Sequence, residues 1–491
     1  MTTNNAFPPI HWLWKDYSRA AAWYSGEPKR LRREGDGSTD SFWKSSENIK
    51  IHVPLPADIA AMSAGMLFAA SPEVTCENEA TQQRIDEIMQ EAGIYSVLLR
   101  AAELASAFGG VFLKWTWDAE HDTVPRLMAV PADAGLPRFI GNRVVEIVFW
   151  SIIREEEGTG AVWRLQETYK PDGHILSKLY KGDANNLGSA CPLNALPETK
   201  NVRPDANSGT ETMLAFYVPN ILPNRSRPHL PFGRSDFEGL YGLFDALDEA
   251  YSAMQRETRL TKTTVIVPAE YLRRRDAIFN DGTCKATEFV YSNGTGAFTA
   301  LDIDSDRASS PITVINPEIR AESRLAVCEN LIRQILSLAG YAPQSAGLDV
   351  EGRAESGTAL NVRERKSIRT SETKKTFWWH AINDIVRAML RLDKKVFRSA
   401  VDPEIEFSVE LPANNQPDIS QLAQIVEQLE RAGAASIQTK VDMLHPDWTD
   451  AQKEEEIERI QAEHSFAAQM QLPDAIEQTE EEPVPPEGGE E

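Results

Sequence analysis

The sequence predicts an α+β protein, and three observations carry that expectation. Short strand-like runs recur between residues 111 and 218, separated by turn residues such as Pro171-Asp172-Gly173. Two helical stretches with apolar seams, 236–264 and 317–340, flank a small strand-rich insert. A long helical pattern then fills 358–397 and would span about 60 Å at 1.5 Å per residue. At 491 residues the chain exceeds one compact core, so two or more structural units are expected.

Residues 1–50 combine Trp12, Trp14, Tyr17, Trp23, Tyr24 and Trp43 with the basic run Lys29-Arg30-Leu31-Arg32-Arg33. Basic residues among aromatics can mean nucleic-acid contact. The favoured alternative is an arm that packs its tryptophans on a neighbour and leaves its charged loop in water, because Glu27, Glu34, Asp36 and Asp40 dilute the charge. Residues 57–70 form a small-residue helix that stops at Ser71-Pro72. Two helices broken near Gly93 fill 79–107, and Gly109-Gly110 leads into a strand over 111–117. Strands at 126–130, 143–153, 161–169 and 174–180 suggest a meandering antiparallel sheet. Residues 182–210, rich in Asn, Gly, Pro and Ser, read as a long loop, and strand character resumes over 212–218.

Ser235-Asp236-Phe237-Glu238 has the form of a capping box, which predicts a helix start there. Phe237, Leu240, Phe244, Leu247, Tyr251 and Met254 then follow at 3-4-3-4-3 spacing, a single seam suited to another helix. Acidic residues in the first half and Arg256, Arg259 and Lys262 near the end suit the helix dipole. The insert starts at 263–268 and has strand-like pieces at 287–291, 297–303 and 312–315. A second seam, Leu325, Cys328, Leu331/Ile332, Ile335 and Leu338, follows Pro317. The segment 341–357 reads as a loop with Pro343, Gly347, Gly352 and Gly357. After the long helix an alternating strand, Ile405-Phe407-Val409-Leu411, runs into Pro412. A helix, a break at Gly433, a short segment opened by Ser436 and a charged last helix complete the order.

The net charge of −23 argues against a sequence-specific DNA binder at whole-chain level, though not against a conduit that must avoid gripping phosphates. Residues 467–491 hold eight acidic residues, four prolines and no Lys or Arg, the composition of a disordered, solvated tail; removing those eight charges leaves −15. No run of about 18 apolar residues exists, so no membrane span is expected, and the N-terminus lacks a secretory pattern. Cys76, Cys191, Cys284 and Cys328 lie far apart, which argues against a disulfide framework or a zinc site.

Motifs for chemistry fail one by one. Asp302-Ile303-Asp304-Ser305-Asp306 starts like a calcium loop but has Arg307 and Thr313 where Gly and Glu are needed. Gly294-Thr295-Gly296 lacks the rest of a phosphate cradle. No HExxH, nucleophile elbow or Cys/His pattern occurs. No catalytic residue, metal or cofactor is therefore expected. The strongest local bias is basic: Arg363, Arg365, Lys366, Arg369, Lys374 and Lys375 face only Glu364 and Glu372 within 361–376. They are candidate contacts for DNA or an acidic neighbouring subunit, with an ordinary solvated face as the alternative. Phe377-Trp378-Trp379 cannot share one helix face, so at least one ring meets a different partner, or burial comes from two sides.

Most of 55–466 resembles the portal proteins of tailed double-stranded-DNA bacteriophages. The segments that carry the resemblance are 54–72, 101–117 with Gly109-Gly110, Pro231-Phe232-Gly233-Arg234-Ser235-Asp236, Glu355-Ser356-Gly357-Thr358-Ala359-Leu360, and 404–464, in the order that family shows. The resemblance implies a portal-type fold assembled as a ring, commonly of twelve subunits, around a channel at a capsid vertex. It implies an N-terminal wing at 1–235, a stem helix at 236–264, a clip at 265–316, a second stem helix at 317–340 and a channel loop at 341–357. It further implies a wing-completing helix and strand at 358–411 and a crown at 412–466, followed by the acidic tail at 467–491.

The implied role is DNA packaging, head–tail connection and DNA ejection in the virion, after assembly in the host cytoplasm. Implied partners are the terminase large subunit, a head-completion adaptor, the major capsid and scaffolding proteins, and double-stranded DNA passing without sequence specificity. Arg273, Arg274 and Arg275 are the candidate clip contacts. Asp349, Glu351 and Glu355 outnumber Arg353 in the loop, so a ring of such loops would form a weakly repulsive collar. The rival readings are an oligomeric scaffold or adaptor and a nucleic-acid-processing enzyme; the latter would need clustered acidic metal ligands or a P-loop, and neither is apparent.

Overall fold

The computed structural model describes residues 7–34, 41–45, 50–118, 121–260, 264–268, 273–278, 284–290, 297–301, 313–315, 321–348, 357–412, 419–445, 448 and 450–470. Side chains are described within these ranges except at 34, 259–321, 357–363, 419–421, 424, 450–451 and 463–470. Two compact units result, 1–355 with 359–414, and 356–358 with 415–491.

The first unit opens with α1 (His11–Ser25), α2 (Pro28–Glu34) and α3 (Leu55–Leu67). A short strand β1 (Glu73–Cys76) precedes α4 (Glu79–Glu91) and α5 (Ile94–Phe108). Asn78 caps α4 by accepting from Thr81 N–H at 2.9 Å, and Gly93, with φ +59°, separates the two helices. Gly109, with φ +83°, ends α5 and donates to Ala105 O at 2.8 Å, so the chain can turn at once into β2 (Gly110–Thr116).

Next come β3 (Arg126–Pro131), β4 (Gly135–Ile140), β5 (Arg143–Glu155), β6 (Val162–Tyr169), β7 (His174–Gly182), β8 (Ser189–Cys191), β9 (Asp205–Asn207) and β10 (Ala215–Pro219). They make a three-stranded sheet, β10-β2-β3, and a six-stranded antiparallel meander, β4-β5-β6-β7-β8 with β9 also on β7. The loop expected over 182–210 is thus partly sheet. Its short strands add to β7, a pairing that a run of Asn, Gly and Pro conceals.

Helix α6 (Tyr241–Leu260) leads to the insert, whose strands are β11 (Thr264–Pro268), β12 (Arg273–Ile278), β13 (Cys284–Val290), β14 (Ala297–Leu301) and β15 (Thr313–Ile315). They pair as β14-β11-β15 and as β12-β13. Strand β12, over the Arg273-Arg274-Arg275 run, was not among the expected strands; basic residues hid it. Helix α7 (Ala321–Ala339) follows, then α8 (Gly357–Leu392), which is about 54 Å long. Strand β16 (Phe407–Glu410) pairs back with β1.

Two apolar cores hold this unit together. In the first, α5, β2 and the second half of α8 bury Leu98, Phe112, Trp115, Trp378 and Ile385. In the second, the N-terminal segment buries Trp23 and Trp43 with Phe237, Leu240, Phe244 and Leu247, together with Cys328, Ile335 and Leu336 of α7. The arm expected to pack on a neighbour therefore packs on its own chain. Leu31 is its buried anchor in α2, and Lys29, Arg32 and Arg33 stay exposed around it. Phe377-Trp378-Trp379 divides as helix geometry demands. Trp378 is fully buried edge-on to Phe68, and exposed Trp379 donates Nε1–H to Val409 O at 3.0 Å.

The second unit contains α9 (Ile419–Arg431), α10 (Ile437–Leu444) and α11 (Asp450–Met470). Gly433, with φ +61°, ends the first, and Ser436 caps the second by accepting from Thr439 N–H at 3.2 Å. Lys453 bridges α11 to Asp442 of α10 at 3.3 Å.

Candidate functional site

The Gly-x-Ser-Asp entry to α6 carries a buried hydrogen-bond network in the first unit. Asp236 is buried and takes four donors. Ser106 Oγ donates to its Oδ2 at 2.6 Å, Tyr341 OH at 3.0 Å and Lys374 Nζ at 2.5 Å, while Asn220 Nδ2 donates to Oδ1 at 2.8 Å. Lys374 also donates to Ser63 Oγ at 2.6 Å and to Tyr341 OH at 3.0 Å. Burial pushes the Lys374 ammonium below its ordinary pKa, against the pull of Asp236, and pushes the Tyr341 phenol well up. One network thus ties α3, α5, the 220 turn, the start of α6, the end of α7 and α8 into a single joint.

Glycine makes the approach possible. A Cβ on Gly109 would stand 2.8 Å from Ser235 N, and one on Gly233 would stand 2.1 Å from Gly109 O. Ser235 Oγ donates to Ala107 O at 2.6 Å and accepts from Phe237 N–H at 3.0 Å, so it spans the contact.

The capping box expected here does not form. Glu238 accepts from Ser226 N–H and Oγ–H instead, and α6 begins only at Tyr241. Phe237 and Leu240 therefore precede the helix, although both are buried with Phe244 and Leu247; Tyr251 and Met254 are half-buried.

The acidic residues of α6 do more than match a dipole. Asp245 Oδ1 accepts from Ser41 Oγ at 3.0 Å and its Oδ2 from Phe42 N–H at 2.6 Å. Asp248 accepts from Trp43 Nε1–H at 2.9 Å and Val53 N–H at 2.8 Å, and His52 Nδ1 lies 2.8 Å from it. These carboxylates clamp the N-terminal segment across the seam.

The basic set on α8 splits. Arg365, Lys366 and Arg369 are exposed, while Lys374 and Lys375 are buried. Lys375 donates to Pro412 O at 2.6 Å and to Glu372 at 2.8 Å. Lys374 and Lys375 therefore leave the set of possible DNA or subunit contacts, because both ammonium groups are spent inside the fold. Arg363 has no described side chain. The seam on α7 also splits: Cys328 and Ile335 are buried, Leu331 and Ile332 are half-buried, and Leu325 and Leu338 are exposed.

Arg273, Arg274 and Arg275 pair with Val290, Phe289 and Glu288 in the β12–β13 ladder, without described side chains. Asp349, Glu351, Arg353 and Glu355 lie outside the described residues, as do the glycine tip at 294–296 and the acidic turn at 302–306. Among the described residues no group of three His, Cys, Asp or Glu side chains is placed to hold a metal ion, and no helix is long and apolar enough to cross a membrane.

The joint was missed in the sequence because its members lie far apart; only the Gly-x-Ser-Asp string hinted at it. A solved structure described as the neck of an empty GTA particle computed with C6 symmetry covers 88% of this chain and 93% of its own, at 10% identity and a TM-score of 0.40. No curated protein sequence matches the chain. Residues 15–470 match the family described as phage portal protein, SPP1 Gp6-like, and with most of its length inside that match the chain belongs to this family of non-enzymatic virion proteins.

Proposed function

We propose that copies of this portal protein close into a ring around a channel at the capsid vertex, and that DNA enters and leaves through it. The family match over 15–470 carries the reading. Twelve subunits is the number the portal resemblance implies.

In such a ring the part before α6, with α8 and β16, serves as the wing, and α6 and α7 serve as the stem. The β11–β15 insert serves as the clip, where Arg273, Arg274 and Arg275 meet the terminase large subunit and later a head-completion adaptor. The major capsid and scaffolding proteins surround the ring during assembly. The segment 341–357 lines the channel with Asp349, Glu351, Arg353 and Glu355, whose net charge repels phosphate and favours sliding over binding. The segment 412–466, which includes α9 and α10, serves as the crown. Lys366 holds the foot of the channel segment by donating to Ser337 Oγ at 2.9 Å, and Ser367 does so by accepting from Ala342 N–H at 2.7 Å.

Capsids assembled with and without the protein test this role. Shells lacking it are expected to close and contain no DNA; shells that fill normally without it contradict the reading.

A further inference from the structure

A cavity of about 330 Å³ lies where α1, the end of α5 and the turn before α6 meet, a volume suited to a small molecule. Leu13, Tyr17 and Phe108 give it an apolar wall, and Asp16, Arg19 and Glu238 line it with charge. Neither Asp236 nor Lys374 lines it, so it is distinct from the joint described above.

Two of its charged side chains carry a buried atom that the protein leaves unbonded. Arg19 lays its guanidinium over the Tyr241 ring, 5.4 Å from the centroid, and its buried Nε–H has no acceptor among the described residues. Glu238 uses Oε1 to accept from Ser226 N–H and Oγ–H, while its Oε2 is buried and has no donor among the described residues. Buried polar atoms are normally hydrogen-bonded, and each exception calls for a cause. Here one orphaned donor and one orphaned acceptor line the same cavity.

Charges of both signs meet at the site. Asp16 and Glu238 stand with Arg19, and Lys15 and Arg227 act on Asp16 from nearby. An anion would satisfy Arg19 and face the carboxylates, and a cation would satisfy Glu238 and face the guanidinium. A wholly apolar ligand would leave both buried atoms unbonded. The chemistry that answers both is an uncharged group with a hydrogen-bond acceptor next to a donor.

We propose that this cavity binds a small uncharged molecule with a lactam edge, a carbonyl beside an N–H, on a flat apolar body of the kind a thymine or uracil base has. The carbonyl accepts from Arg19 Nε–H, the N–H donates to Glu238 Oε2, and the body lies against Leu13, Tyr17 and Phe108. Arginine donating to a base carbonyl and glutamate accepting from a base N–H are general modes of base recognition.

Isothermal titration calorimetry of the full chain tests the site, with thymidine as the probe. The control ligand is 3-methylthymidine, which keeps both carbonyls and has a methyl group in place of the N–H. The control protein is Glu238→Gln, whose amide oxygen can still accept from Ser226 while its nitrogen replaces the orphaned acceptor with a donor. Circular dichroism is expected to be the same for this variant and the wild type. Thymidine is expected to bind saturably at one site per chain, and each control is expected to weaken binding at least about tenfold. Absence of saturable thymidine binding at millimolar concentration overturns the proposal, and water then serves the two atoms. Thymidine binding that either control leaves unchanged overturns it as well.

Discussion

Lys374 and Asp236 stand 138 positions apart and meet at 2.5 Å inside the first unit, each side chain 1% exposed. A buried ion pair is poor evidence for stability in itself, because both charges lose their water. Here the remaining capacity is filled by Ser63, Ser106, Asn220 and Tyr341, so neither charge is left uncompensated. The pair registers the segment that leads into α6 against α8, and the segment after the end of α7 is drawn in through Tyr341.

Lys374→Met leaves a buried carboxylate without its cation and is expected to lower stability by about 3–5 kcal/mol. Asp236→Asn combined with Lys374→Met is expected to cost less than the two single changes added together. Urea denaturation followed by tryptophan fluorescence measures both; additive losses would mean the two groups do not act as a pair.

Gly109 and Gly233 touch through their backbones. Gly109→Ala places a Cβ 2.8 Å from Ser235 N at a φ of +83°, a strain of roughly 1–3 kcal/mol before the clash is counted. Gly233→Ala meets Gly109 O at 2.1 Å. Both variants are expected to melt well below the wild type in a thermal scan, whereas Gly141→Ala, with open space around it, is expected to show only the smaller cost of its positive φ.

Asp248→Ala removes the acceptor for Trp43 Nε1–H and Val53 N–H and is expected to cost about 3 kcal/mol locally. Its signature is selective. Limited proteolysis is expected to cut within residues 26–53 sooner than in the wild type, with cleavage elsewhere unchanged.

Glu156 accepts from Trp163 Nε1–H at 2.7 Å, from Lys181 at 2.9 Å and from Thr159 at 3.0 Å, and these bonds hold its pKa down to about 2, below the ordinary 4.5. A carboxylate depressed on folding adds stability that is present above the unfolded value and is lost as pH falls through the folded one. The stability gap between wild type and Glu156→Gln is therefore expected to be constant above about pH 5 and to shrink between pH 4.5 and 2. Urea midpoints across that range read it.

Much of the element order was legible because local signals agreed. Gly93 and Gly109 mark helix ends through positive φ, Ser436 is the cap that its residue type suggests, and the period of Phe244, Leu247 and Tyr251 belongs to a helix. What escaped was set by distant partners. Phe237 and Leu240 have helical spacing, yet Ser235 is held by Ala107 and Glu238 by Ser226, so the helix starts later. Lys374 looks like its exposed neighbours Arg365 and Arg369 until Asp236, brought in from the α6 entry, removes it from the surface. The α7 seam merged two faces because a spacing of three to four residues does not say which row a fold will cover.

The central claim is that copies of this chain form a closed ring with a hole. Mass photometry of the purified full chain, with negative-stain images of the same sample, tests it most directly. The expected result is a single large cyclic species, near twelve times the 54.7 kDa chain mass, seen end-on as a ring with a central opening. A stable monomer or dimer across low and moderate salt, or a large assembly without an opening, would contradict it.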